Sequence, residues 1–314
     1  MTERDERDER GERADSPAAS GFWPAAEVCA ELGESPVWRA EDATVWWVDV
    51  EGLQLLRTEF RPGFRALGPT RAWPTPEAPG FVQLDASGAP LVGMGTGLFR
   101  FEEAAGRFAR IAAVEAPGRR CNDACVDAAG RLWFGTMDVE NLRPNGALYV
   151  MGPDAAPRQV LDGFRTINGL AWDAARERLF VSDSHVSVQT LWTLRFRDGA
   201  LVERQVFARF EGLAGRPDGA AMDAQGHLWI AGVGGAELCR FAPDGRLAAR
   251  IPTPMPQPTK PAFAGPRLDR LALASRRGPG GGGVLAGWEA AAETGVTGAP
   301  AARWRGGDAT GAHG

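Results

Sequence analysis

Histidine is scarce in this 314-residue chain: three residues, at 185, 227 and 313, too far apart in sequence to form a cluster. The four cysteines, at 29, 121, 125 and 239, form no C-x-x-C pair. A zinc site of nitrogen and sulfur ligands is therefore without support. No export signal is visible, so reduced thiols and a cytoplasmic location are the expectation. The chain lacks a G-x-S-x-G nucleophile elbow and any Ser/His/Asp set, which argues against a covalent acyl-enzyme. It has no run of about eighteen apolar residues, and hence no candidate membrane-spanning helix. Net charge is −5, with no basic stripe, so nucleic acid is not an expected partner. The first twenty residues, MTERDERDERGERADSPAAS, are charged and lack the apolar core of a signal peptide. They read as a disordered, solvated tail.

What the chain has in quantity is glycine (41) and proline (23), as a turn-dense β fold requires. Four short apolar runs stand out: TVWWVD at 44–49, RLWFGT at 131–136, RLFVSD at 178–183 and HLWIAG at 227–232. PLVGM at 90–94 and RLALAS at 270–275 are weaker copies, so that six runs recur 41 to 49 residues apart. Asp/Gly-rich turns precede them, among them LDASGA at 84–89, VDAAGR at 126–131 and MDAQGH at 222–227. This period is that of propeller blades of four strands each. A β-helix has far shorter periods, and helical solenoids need a 3.6-residue pattern that is absent. The expectation is an all-β, six-bladed β-propeller spanning 21–305, with a charged tail at 1–20 and a flexible C-terminus at 306–314. Trp46, Trp47, Trp133 and Trp229 lie inside the runs and are expected to pack between blades.

Glu34, Asn122, Asn168 and Asp218 each fall ten to twelve residues before the first bulky residue of one of the four strong runs (Trp46, Leu132, Leu179 and Leu228). Equal phase in a repeat means equal position in the structural unit, so blades around an axis bring the four together. Glutamate, asparagine and aspartate converging on one point suit a hard divalent cation. At the same phase the remaining blades hold Phe81 and Thr259, which leaves the ring polar on one side only. Arg120 and Asn122 alternate on an expected strand and face the same side. A guanidinium and an amide beside a metal fit a hydroxyl-rich ligand. Asp123 then faces away and holds backbone donors. Glu140, in the following loop, is placed to fold over the mouth.

ELGESPVW, RCNDACVDAAGRLWFGTM, INGLAWD, RPDGAAMDAQGHLWIA and QPTKPAFAGPRLDRLALAS, in this order, resemble the senescence marker protein/gluconolactonase/regucalcin-like family over roughly residues 28–276. The resemblance implies a six-bladed propeller that binds one divalent metal in its channel and hydrolyses sugar lactones to aldonic acids. It implies Glu34, Asn168 and Asp218 as metal ligands and Asp218 as proton donor and acceptor. It assigns Arg120, Asn122 and Glu140 to substrate. The ion (calcium, zinc, magnesium, manganese or iron(II)), the sugar and the oligomeric state stay open. So do two alternatives: another metal-dependent esterase or phosphotriesterase on this scaffold, and a non-catalytic metal-binding propeller. Two departures stand out. Lys260 occupies a position where a small hydroxyl residue is expected, and from there a cation reaches the channel. The Gly/Ala-rich stretch 276–304 lacks the alternating strand that should finish the sixth blade, so ring closure is expected to be loose.

Overall fold

Each apolar run of the repeat becomes the second strand of a four-stranded antiparallel sheet, and there are six such sheets among the described residues. The computed structural model describes residues 21–60, 68–114, 117–197, 199–278 and 283–306. The tail expected at 1–20 and residues 307–314 of the expected flexible C-terminus lie outside them. The sheets are the blades of a six-bladed β-propeller, which contains one short helix, Ala290–Thr294. The innermost strands are Gly33–Arg39, Phe81–Leu84, Arg119–Val126, Ile167–Asp173, Arg216–Met222 and Pro258–Ala264. Neighbouring innermost strands pack side by side and enclose the central channel.

The turn aspartates explain why the hairpins form where they do. One oxygen of Asp127 accepts the backbone N–H groups of Ala129 and Arg131, at 3.0 and 2.9 Å. Its other oxygen takes the Trp133 indole N–H at 2.8 Å. Asp223 repeats the pattern with Gln225, His227 and Trp229. One carboxylate thus fixes both the turn and the tryptophan of the strand that follows. The tryptophans pack between blades: Trp133 lies against Phe196 of the fourth blade, and Trp229 against Phe263 and Trp288 of the sixth.

The sixth blade corrects the expectation of a loose closure. Leu285–Trp288, within the Gly/Ala-rich stretch, is its third strand, and Phe22–Pro24 is its fourth. LAGW is buried at every position, and a strand covered on both faces has no reason to alternate. Gly287 is needed there because a Cβ would run into the Trp23 indole at 2.4 Å. Phe22 stacks on Trp288 with ring centroids 5.2 Å apart. The ring is closed by strands from opposite ends of the described chain.

Candidate active site

The common phase read from the sequence corresponds to a local irregularity in the innermost strands. Five of them carry an irregularity at that point: between Glu34 and Val37, Cys121 and Ala124, Asn168 and Ala171, Pro217 and Ala220, and, around Thr259, Pro258 and Lys260. Glu34 and Asn168 are the last paired residues before their bulges, and Asn122 and Asp218 are the first residues inside theirs. Bulges re-aim side chains. In the first blade the kink is sharp: Ser35 has φ of +48°, and its N–H donates to the Glu34 carboxylate at 2.8 Å. Phe81 in the second blade pairs regularly with Gly93 and is buried, so that sector of the ring is apolar.

Carboxylates at the ends of second strands clamp the chain as it arrives at this level. Asp49 accepts the N–H groups of Glu31 and Leu32, at 2.9 and 3.0 Å, just before Glu34. Asp183 does the same for Arg165 and Thr166, at 2.8 and 3.0 Å, just before Asn168. In the sequence these supports show only as the final Asp of TVWWVD and RLFVSD, with nothing local to mark the chain segment each one holds.

Asn122 and Asn168 meet directly. The Asn122 amide donates to Asn168 Oδ1 at 3.0 Å and to the Ile167 carbonyl at 2.8 Å. Arg120 donates to Asn122 Oδ1 at 2.8 Å, so arginine and amide do share a side. Asn168 in turn donates to Ser184 Oγ at 2.9 Å, and Ser184 donates onward to the Pro217 carbonyl. Ser184 therefore links the Asn168 blade to the strand that carries Asp218. Glu140 stands apart from this network: it is exposed, in the turn after Leu132–Asp138, at the end of the blade where Arg119 pairs with Asp138.

Burial pushes the Asp218 carboxyl up to about 7, helped by repulsion from Asp123 and opposed by Arg216, Lys260 and Arg120. Glu34 is raised well above the ordinary range, first by desolvation and then by the Asp218 and Asp123 carboxylates. The two acids feel one another across the channel, and together they hold less than two full negative charges at neutral pH. Arg120 is lowered by burial, with Glu34 and Asp218 opposing the shift. Among the described residues no three His, Cys, Asp or Glu side chains group as metal ligands. The donor set at the axis is two carboxylates and an amide.

Asp123 does hold backbone donors, but it does not face away from the channel: its charge acts on Glu34 and Asp218, and its partner is the unexpected lysine. Lys260, 4 % exposed, forms an ion pair with Asp123, 2 % exposed, and donates to the Ala124 carbonyl at 3.1 Å. Burial, the largest single influence, would lower the Lys260 ammonium, but the charge and hydrogen bond of Asp123, with the Glu34 charge, together outweigh it and the net shift is upward. Asp123 also accepts the N–H groups of Ala124 and Leu170, each at 2.8 Å. This pair ties the third, fourth and sixth blades across the channel. Thr259 fastens the sixth blade to the first through the Gly33 carbonyl at 2.6 Å. A cavity of about 480 Å³, lined by Val37, Trp38, Cys125, Trp172, Phe263 and Lys260 among others, does not include Glu34, Asn168 or Asp218. Its walls are mainly apolar and suit none of the chemistry of the axial cluster.

Sequence reasoning passed over Arg216. It stands two residues before Asp218 as Arg120 stands two before Asn122, so R-x-D repeats R-x-N. Its guanidinium donates to the Ser184 carbonyl at 3.5 Å.

Two carboxylates and an amide from separate blades thus line one channel, with the Arg120 guanidinium and the Asn122 amide beside them. A family model described as the SMP-30/gluconolactonase/LRE-like region matches residues 32–277, and the chain belongs to that family. It is 31% identical over 261 residues to a 6-deoxy-6-sulfogluconolactonase of Pseudomonas putida, covering 82% of this chain and 87% of that one. It is 33% identical over 240 residues to an L-arabinolactonase of Azospirillum brasilense, covering 74% and 78%. Among solved structures, a calcium-binding protein, regucalcin, from Agrobacterium tumefaciens has a TM-score of 0.81 at 24% identity, covering 91% of this chain and 97% of that one. A gluconolactonase of Xanthomonas campestris has a TM-score of 0.68 at 25% identity, covering 83% and 86%.

Proposed function

We propose that this protein hydrolyses a sugar lactone to the aldonic acid, with Asp218 as proton donor and acceptor. The reading is supported by the Glu34 and Asp218 carboxyls acting on one another in the channel and by the hydrogen-bonded Arg120–Asn122–Asn168 chain, in a chain of this family. Relatives named as lactonases support the choice of substrate class.

The axial residues fit a divalent cation. Two carboxylates forced together in a desolvated place resist ionisation, as the upward shifts of Glu34 and Asp218 record, and a cation removes that penalty. Glu34, Asn168 and Asp218 would hold it, and all three offer hard oxygen donors that suit calcium, magnesium, manganese, iron(II) or zinc. Bound there, the ion supplies Lewis acidity toward a carbonyl oxygen and neutralises the two carboxylates.

The protein's own groups do the remaining work. Asp218 takes a proton from water as the water attacks the lactone carbonyl, then returns it to the ring oxygen as the C–O bond breaks. A carboxylate beside a cation is a weak base, but sugar lactones are activated esters and need only modest base strength. Arg120 and Asn122 hold sugar hydroxyls; their mutual hydrogen bond fixes both side chains before substrate arrives. Glu140, on the exposed turn at the same end, accepts hydroxyl hydrogen bonds from the substrate side.

A pH-stat assay on metal-stripped protein tests this, using glucono-, xylono-, arabinono- and galactonolactone with each ion added back in turn. Ion-dependent acid release is the expected result. Turnover of an organophosphate in preference to every lactone would reassign the reaction, and ion binding without turnover of any ester would make the propeller a binding protein.

A further inference from the structure

The arginines at this end of the propeller divide into two groups. Arg143, Arg276 and Arg277 are ion-paired with Asp138, Glu51 and Glu31, respectively. Arg119, Arg120, Arg165 and Arg216 have no carboxylate within ion-pair distance among the described residues. Their guanidiniums donate instead to neutral oxygens: Asn145 O at 3.0 Å for Arg119, Asn122 Oδ1 and Cys121 O for Arg120, Leu142 O at 3.1 Å for Arg165, and Ser184 O for Arg216. All four stand at the start of the innermost strands of the third, fourth and fifth blades, or just before it. The mouth therefore has one sector rich in positive charge.

Charge balance at the axis sharpens the point. Lys260 and Asp123 cancel one another. Arg120 and Arg216 are then balanced chiefly by Glu34 and Asp218, since Glu51, which also acts on Arg120, is already paired with Arg276. A divalent cation held by those two carboxylates uses up their charge and leaves both guanidiniums without a counter-charge. Neither can shed its proton, because arginine stays protonated at any ordinary pH. Neutral hydroxyls give such a group hydrogen bonds but not the missing charge. A substituent with two or three anionic oxygens gives both, and matches the guanidinium fork.

We propose that the substrate of this site carries an anionic oxyacid group (sulfonate, phosphate or carboxylate) in addition to its lactone, and that Arg216 is the residue that selects for it. This assignment rests on the lactonase reading for the word lactone, but not for the anion. Arg216 sits at the edge of the site, on the same strand as Asp218 and bonded to the blade that carries Asn168. Arg120, two blades away in the ring, takes the same position relative to Asn122 and contributes to the positive field.

The test compares kcat/KM for glucono-1,5-lactone with that for lactones bearing a 6-sulfonate, 6-phosphate or 6-carboxylate, in parent, Arg216→Ala and Arg216→Lys proteins. A preference of at least tenfold for one or more anionic lactones is expected in the parent. It should fall at least tenfold in Arg216→Ala and by less in Arg216→Lys, which keeps charge but loses the fork. Calorimetry with 1,5-anhydroglucitol and its 6-sulfonate, which cannot be hydrolysed, reads the same selectivity without turnover and should show tighter sulfonate binding that weakens with salt. Equal binding of the two sugars, or a preference that survives Arg216→Ala, overturns the inference while lactonase activity stands. Sulfonate-selective binding lost in Arg216→Ala, with no lactone turned over, upholds the anion site and removes the lactonase reading instead.

Discussion

Replacing Lys260 by methionine removes the positive half of an ion pair that is almost wholly out of water. Methionine keeps the length and apolar stem of lysine, so the loss is chiefly electrostatic. Asp123 is left with the Ala124 and Leu170 N–H groups but no counter-charge. Stranding one partner of a buried pair costs about 3–5 kcal/mol, which is the expected loss in urea unfolding at pH 8 with the slope m unchanged. Adding Asp123→Asn to Lys260→Met removes the stranded charge, although asparagine can accept only one of the two backbone N–H groups with its single oxygen. The double variant should therefore be more stable than the sum of the single losses by about 1–3 kcal/mol. Strict additivity, or a Lys260→Met loss below about 0.5 kcal/mol, would show that the pair does not bind the blades together and would refute the reasoning.

Asp218→Asn should lower lactone turnover by at least about 10²-fold, the range of a general acid–base group, and leave the circular dichroism spectrum unchanged; full activity would remove Asp218 from its role. Arg120→Ala should chiefly raise KM, since the residue binds and does not transfer protons, so an unchanged KM counts against it. In chelated protein the Asp218 carboxyl titrates near 7 when folded, against 3.8 ordinarily. The folded state holds the extra proton between those values, so metal-free stability should rise by about 2 kcal/mol from pH 7.5 to 5 at about 1.4 kcal/mol per unit. Urea melts of the chelated parent and of Asp218→Asn check this: the slope should flatten in the variant, and a flat parent profile contradicts the shift.

Much of the fold was legible because each blade repeats one physical device. An aspartate closes a turn and catches a tryptophan in the strand beyond, as Asp127 and Asp223 do, and such a device leaves a periodic mark in the sequence. The positions of Glu34, Asn122, Asn168 and Asp218 were legible for the same reason, since a bulge recurs at one phase. Closure of the ring was not. Phe22–Pro24 is too short to show a period, and LAGW is buried on both faces, so neither displays the alternation by which half-buried strands are recognised. The Lys260–Asp123 pair joins residues 137 apart in sequence across the channel, and local patterning holds no trace of such a partner. Arg216 was not legible because a guanidinium is no metal ligand, and the absence of a carboxylate partner shows only in three dimensions.

Closure by strands from opposite ends also dictates when the molecule can be complete. On the ribosome Phe22–Pro24 emerges before every other described strand, yet it has nothing to pair with until Leu285–Trp288 has been made. At about 5–20 residues per second that wait is of the order of tens of seconds. Throughout it, the earlier blades form an open arc with bare peptide groups along its rims, vulnerable to sticking to other nascent chains. A product cut short before residue 285 has no means of shutting that arc, so a closed ring certifies that translation has passed its final blade.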